Sequence, residues 1–139
     1  MEIDPAFPRG IALRAQISFL TGKPQEALKD MCAVVALSDS SDGYVAYLGN
    51  MLGLMGNRVE ATTLLRTLLE RQKSRYVDPS LIALVYIGLD EKDQVFQWLD
   101  KAYEVHSNPL EYLLIDPSYD PIRSDSRFNV LVKKIGLPQ

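Results

Sequence analysis

The chain has 139 residues, 47% of them hydrophobic and 24% charged, and its 15 basic and 18 acidic side chains give a net charge of -3. Such a length sets the expectation of one domain that buries roughly two-thirds of its unfolded surface, while the composition excludes disordered and collagen-like chains and shows no basic footprint for direct nucleic-acid binding. With a single cysteine, Cys32, no internal disulfide forms, and no apolar run reaches the ~20 residues that membrane insertion needs.

Ile3-Asp4-Pro5 reads as the end of a helix that starts upstream, and the absence of a basic-then-apolar leader sets the expectation of a cytoplasmic location. From Pro8 the chain reads as helix pairs, A then B. In the first, over residues 8–41, the turn is Thr21-Gly22-Lys23, and Pro24 fits the first turn of helix B because the missing N–H has no intrahelical acceptor there. The next turn is Asp39 to Gly43, with Ser41 or Asp42 expected to cap the following helix; its spacing fails as a calcium loop because no Glu closes it.

Over residues 42–75 helix A is expected from Gly43 to Met55. Gly56 is free to take the left-handed conformation that ends it, and Asn57 is expected to cap helix B from Arg58 to Arg71. Ala61, Leu64, Leu65, Leu68 and Leu69 lie on one stripe of that helix. Arg71, Lys73 and Arg75 read as a solvated hinge. Over residues 76–107 the turn Asp90-Glu91-Lys92-Asp93 lacks glycine, so either Asp90 adopts the left-handed conformation or the turn differs. His106, at the end of that pair, is expected to interact with the last helical carbonyls. Residues 108–139 read as a cap: a short helix from Pro109 to Ile115, turns at Asp116-Pro117 and Asp120-Pro121, then a helix begun by Ser124 or Asp125. The last helix sets Phe128, Leu131, Val132 and Ile135 against Arg127, Asn129, Lys133 and Lys134.

The pairs share one register of 34 residues. Gly22, Gly56 and Asp90 occupy one column, and Ala15, Gly49 and Ala83 another; Ala27, Ala61 and Val95, then Met31, Leu65 and Leu99, then Val34, Leu68 and Ala102 complete the set. Small residues such as Gly49 and Ala61 are expected where helices A and B cross. A helical repeat of this period, with Leu48-Gly49, Gly56 and Ala61 in their places, resembles the tetratricopeptide repeat. The segments from Arg75 to Pro79, Gly88 to Asp93 and Asp116 to Phe128 resemble the C-terminal ends of bacterial multidomain regulators. That resemblance implies an all-α, right-handed superhelical solenoid of about three helix pairs with C-terminal capping helices.

It also implies a non-enzymatic scaffold that binds a peptide or helix partner in a concave groove lined by the A helices. By family position the lining falls on Arg9, Ala12, Gln16 and Phe19, then Ala46, Asn50 and Gly53, then Ser80, Leu84 and Ile87, with Arg9, Gln16 and Asn50 as polar handles. The cationic clamp by which co-chaperone arrays hold acidic tails is missing from the third A helix. The alternative is a homodimer in which another copy fills the groove or the N-terminal end, where Ile11, Phe19 and Leu20 are expected to lie open. No catalytic, cofactor or metal site is expected: His106 and Cys32 have no evident partners, Cys32 reads as a packed or half-buried, inert thiol, and Gly22-Lys23-Pro24 fails as a phosphate loop.

Overall fold

The computed structural model of the chain describes residues 8–106, 110, 113 and 115–136. Seven α-helices, one 3-10 helix and no strand occur among them. Helices α1 (Pro8–Leu20) and α2 (Pro24–Leu37) form the first pair, α3 (Asp42–Leu54) and α4 (Arg58–Gln72) the second, and α5 (Pro79–Gly88) and α6 (Lys92–Glu104) the third. A 3-10 helix, Pro117–Ile122, and α7 (Ser126–Ile135) follow. The helix end expected at Ile3-Asp4-Pro5 and much of the helix expected from Pro109 to Ile115 fall outside the described residues.

The 34-residue register is written most firmly in the backbone of the turns within each pair. Gly22, Gly56 and Asp90 all take left-handed conformations, with φ of 84°, 86° and 58°. One residue later, the N–H groups of Lys23, Asn57 and Glu91 donate to the carbonyls of Ser18, Leu52 and Tyr86 at 2.8, 2.8 and 3.1 Å. This six-residue closure satisfies carbonyls that the end of an α-helix would otherwise strand. Asp90 therefore adopts the glycine conformation despite its Cβ, one of the two outcomes the sequence left open. Asn57 stands at its expected cap position, yet its side chain makes no capping bond, and neither does that of Ser41. Asp125 does cap α7, accepting from the N–H of Arg127.

Helix α5 starts later than its register equivalents because Asp78 begins it: its carboxylate accepts from the N–H and the hydroxyl of Ser80, and Pro79 takes the first helical position. Packing then proceeds along the chain. Helix α1 lies on α2, α2 on α3, α3 on both α4 and α5, α5 on α6, and α7 on α6. Helix α5 is the centre, with Pro79, Ser80, Ile82, Ala83, Leu84, Val85, Ile87 and Gly88 all buried.

One tight approach is between pairs. A Cβ added to Gly53 would lie 2.5 Å from the carbonyl carbon of Gly88, so α3 and α5 touch backbone to backbone. At Gly49 an added Cβ would meet Val85 of α5 at 3.2 Å and Leu64 of α4 only at 3.7 Å. Gly49 thus faces helix B of its own pair, as expected, and is pressed more tightly by the next A helix.

Candidate functional site

Helix direction decides which expected lining residues are open, and the three A helices differ. In the second and third pairs Ala46, Asn50, Ser80, Leu84 and Ile87 are all buried. Asn50 does not offer its amide to a ligand: its Nδ2 donates to the carbonyl oxygen of Leu84 at 2.8 Å, closing the approach of α3 to α5. Gly53, half-buried, carries the backbone contact to Gly88. The expectation that these residues form an open concave lining is corrected for all but the edge at Gly53.

Part of the cover comes from the C-terminal segment. The 3-10 helix packs on α5, and Tyr119 and Ile122 on it are buried, as are Leu110 and Leu113 before it. Asp116, which starts that helix by accepting from the N–H of Ser118, also accepts from the hydroxyl of Tyr47 on α3 at 3.1 Å. Burial first, and then the charge of Asp116, pushes the Tyr47 phenol well above its ordinary range. Tyr119 moves the same way, through burial and then Tyr47. Both phenols stay protonated at neutral pH; Tyr47 serves as a donor, and both are packing bodies. Arg123 completes the fastening, donating to the carbonyls of Leu113 and Asp116 at 2.8 and 2.9 Å. Sequence reasoning missed the pairing of Tyr47 with Asp116 because the two lie 69 residues apart, and it missed Tyr119 and Arg123 although the two Asp-Pro turns marked their segment.

The first pair differs. Arg9 is exposed and has no ion-pair partner among the described residues, Gln16 and Phe19 are half-buried, and Ala12 alone of the four is buried. The register equivalent of the Gly53–Gly88 contact falls here on Phe19 and Leu54. Side chains of that size hold backbones apart; α1 packs on α2 instead, and α2 carries the contact to α3. Leu54 remains 43% exposed. Arg9, Gln16, Phe19 and the edge at Gly53 are thus the accessible remainder of the expected lining, with Leu54 open beside them. Ile11, expected to lie open at this end, is buried, while Leu20 is exposed.

Charges elsewhere are engaged in structure. Arg71 donates to Asp42 and to the carbonyl of Ser40, both at 2.7 Å, and Arg75 grips Asp42 at 2.7 and 2.8 Å. The solvated hinge expected at Arg71, Lys73 and Arg75 is therefore a clamp joining the end of α4 to the start of α3, with only Lys73 turned aside to Glu70. The hydrogen bond from Arg75, aided by Arg71, holds the Asp42 carboxyl below its ordinary range against the opposing effect of burial. Lys134, expected on the solvent side of α7, lies over the Tyr103 ring and 3.8 Å from Asp100; Arg127 lies over Phe96 and pairs with Asp93 at 2.8 Å.

Cys32 is exposed rather than packed, and partial desolvation followed by Glu60 pushes its thiol up, away from the reactive thiolate. His106 lies beyond the end of α6 with φ of 56°, and it is its backbone N–H that reaches a carbonyl, that of Tyr103. Among the described residues no group of three metal-ligating side chains is placed to hold an ion, and no helix is long and apolar enough to cross a membrane. Comparison of the chain with family models, with curated proteins and with solved structures finds no match.

Proposed function

We propose that the chain is a protein-interaction scaffold of the tetratricopeptide-repeat kind, not an enzyme, and that it takes a helical or extended peptide on the first pair. The ligand lies along Arg9, Gln16, Phe19 and Leu54. One observation carries this reading: these positions are accessible, while their register equivalents in the third pair, Val77, Leu84, Ile87 and Gly88, are all buried. The surface has apolar area from Phe19 and Leu54, an amide from Gln16 that both donates and accepts, and a cation at Arg9 that pairs with none of the described residues. A segment with two or three apolar side chains and an acidic neighbour matches it. A bacterial regulator in the cytoplasm is the proposed setting, on the resemblance of Asp116 to Phe128 to the C-terminal ends of such proteins.

Selection from a displayed library of helical peptides tests the reading. The parent chain is expected to enrich peptides that lose at least ~10-fold in affinity with the double change Gln16→Ala, Phe19→Ala, about 1.4 kcal/mol. No enrichment over an unrelated helical protein, or equal binding by the double variant, overturns it.

A further inference from the structure

The 34-residue register does not stop at the third pair. The A elements end at Leu20, Leu54, Gly88 and Ile122, and the B elements begin at Pro24, Arg58, Lys92 and Ser126, so the 3-10 helix and α7 stand where the two helices of a fourth pair belong. Helix α7 takes the B place. The A element falls short of an α-helix: Pro117 opens it and Pro121 sits inside it, where proline donates no N–H and its ring crowds the preceding turn. What is left is six residues, closed by the N–H groups of Tyr119 and Arg123 at the carbonyls of Asp116 and Asp120. This shortened element lies on α5, as the A element of a next pair would, but it also reaches one pair further back, where Asp116 accepts from Tyr47 on α3. Asp116, Tyr119 and Ile122 are spaced by three, which on a 3-10 helix puts them along one edge. Tyr119 and Ile122 on that edge are 2% and 1% exposed, while Pro117, Asp120 and Pro121 face solvent.

The segment sits on the array as a bound peptide would. Arg123 donates to the carbonyls of Leu113 and Asp116 and to the carboxylate of Asp120, bonds that shape the segment without tying it to α3 or α5. A polar contact that does cross is the one from the Tyr47 hydroxyl to Asp116, at 3.1 Å, and the apolar anchors are Tyr119 and Ile122. Helix α7 is docked on α6 by its own means, with Phe128, Leu131 and Val132 buried and Arg127 paired to Asp93. The end of the array is therefore covered whether or not the segment is seated. We infer that the surface of α3 and α5 under this edge is a docking site for a peptide with a carboxylate, an aromatic ring and an aliphatic side chain at intervals of three, filled by the chain's own Asp116, Tyr119 and Ile122 until a partner bearing that pattern displaces them. The occupant shows what the site selects: a carboxylate that accepts from the Tyr47 hydroxyl, then two buried anchors in the manner of interface hot spots. A tethered segment competes at an effective concentration on the order of millimolar. An outside partner therefore enters when it brings further contacts or when the segment is loosened.

The probe is a labelled synthetic peptide with the sequence of residues 115–124, added to the full chain and read by fluorescence anisotropy. It is expected to bind the Tyr119→Ala chain at least ~10-fold more tightly than the parent, whose tethered segment excludes it. That gain is expected to vanish when the peptide's own tyrosine is replaced by alanine, and to shrink when Tyr47→Phe is added to the chain. Equal binding to the two chains, no binding to a Tyr119→Ala chain that is still helical by circular dichroism, or binding indifferent to those two changes overturns the inference. A second measurement needs no variant. In native-state hydrogen exchange on the parent, the amides of Tyr119 and Arg123 are expected to exchange at least ~10-fold faster than those of α5, through an opening of their own. Exchange at the rate of α5 makes the segment part of one fixed core and overturns the inference too. The peptide selection on Gln16 and Phe19 reads a different surface, so either proposal fails without the other.

Discussion

Two junctions in this molecule occupy the same place in the register and are built differently. Between the second and third pairs, α3 and α5 meet at Gly53 and Gly88, Asn50 bridges to the Leu84 carbonyl, and Arg58 Nη1 reaches the Leu89 carbonyl at 2.7 Å. Between the first and second pairs the equivalent residues are Phe19 with Leu54, Gln16 with Asn50, and Pro24 with Met55. None of these offers the same contact. Backbone proximity needs two glycines, and proline has no side-chain donor. The junction is held instead by α2 on α3 and by Arg71 at the Ser40 carbonyl. Repetition of the turns therefore fixes where helices begin and end, while side-chain size at two positions decides whether neighbouring pairs close into one body.

The comparison breaks most directly at Gly53. Gly53→Leu is expected to force α3 off the α5 backbone and cost about 3 kcal/mol or more, read as a lower urea midpoint. Its counterpart Leu54→Ala, already part-exposed, is expected to cost less than about 1 kcal/mol. Equal losses at the two positions would mean that close packing does not distinguish the junctions. Next in size is Asn50→Ala, which removes the Nδ2 bond to the Leu84 carbonyl across the α3–α5 contact and is expected to cost about 1.5 kcal/mol. Gln16→Ala, its register equivalent, is expected to stay within about 0.5 kcal/mol.

Asp42 supplies a smaller loss than Gly53 or Asn50, together with a pH signature. Its carboxyl titrates lower in the folded chain than in the unfolded one, where the ordinary value is about 3.9. The clamp's contribution is thus fully present above that value and fades as pH falls through the lowered folded value. Asp42→Asn is expected to cost about 1 kcal/mol at neutral pH, and the gap between parent and variant in thermal melts should close in acid. A gap independent of pH would assign the loss to packing rather than charge.

What the sequence disclosed follows from what is local. Gly22 and Gly56 announce their turns because a residue without Cβ takes the left-handed conformation at little cost, and the shared column carried Asp90 with them. Phe128, Leu131 and Val132 were readable as the buried side of α7 from helical spacing. The lining was less legible, since a helix position gives the direction of Ala46, Ser80 or Ile87 but not whether a distant segment covers them. Tyr47 with Asp116, 69 residues apart, and Arg75 with Asp42, 33 apart, are pairings that a periodic pattern does not encode.

Native-state hydrogen exchange tests the contrast between the junctions most directly. Amides of α1 and α2 are expected to open together at a free energy well below that of α3, α5 and α6, as a unit joined to the rest by fewer close contacts. If instead all six helices share one opening free energy equal to that of global unfolding, the first pair belongs to a single closed body and the contrast between the two junctions is wrong.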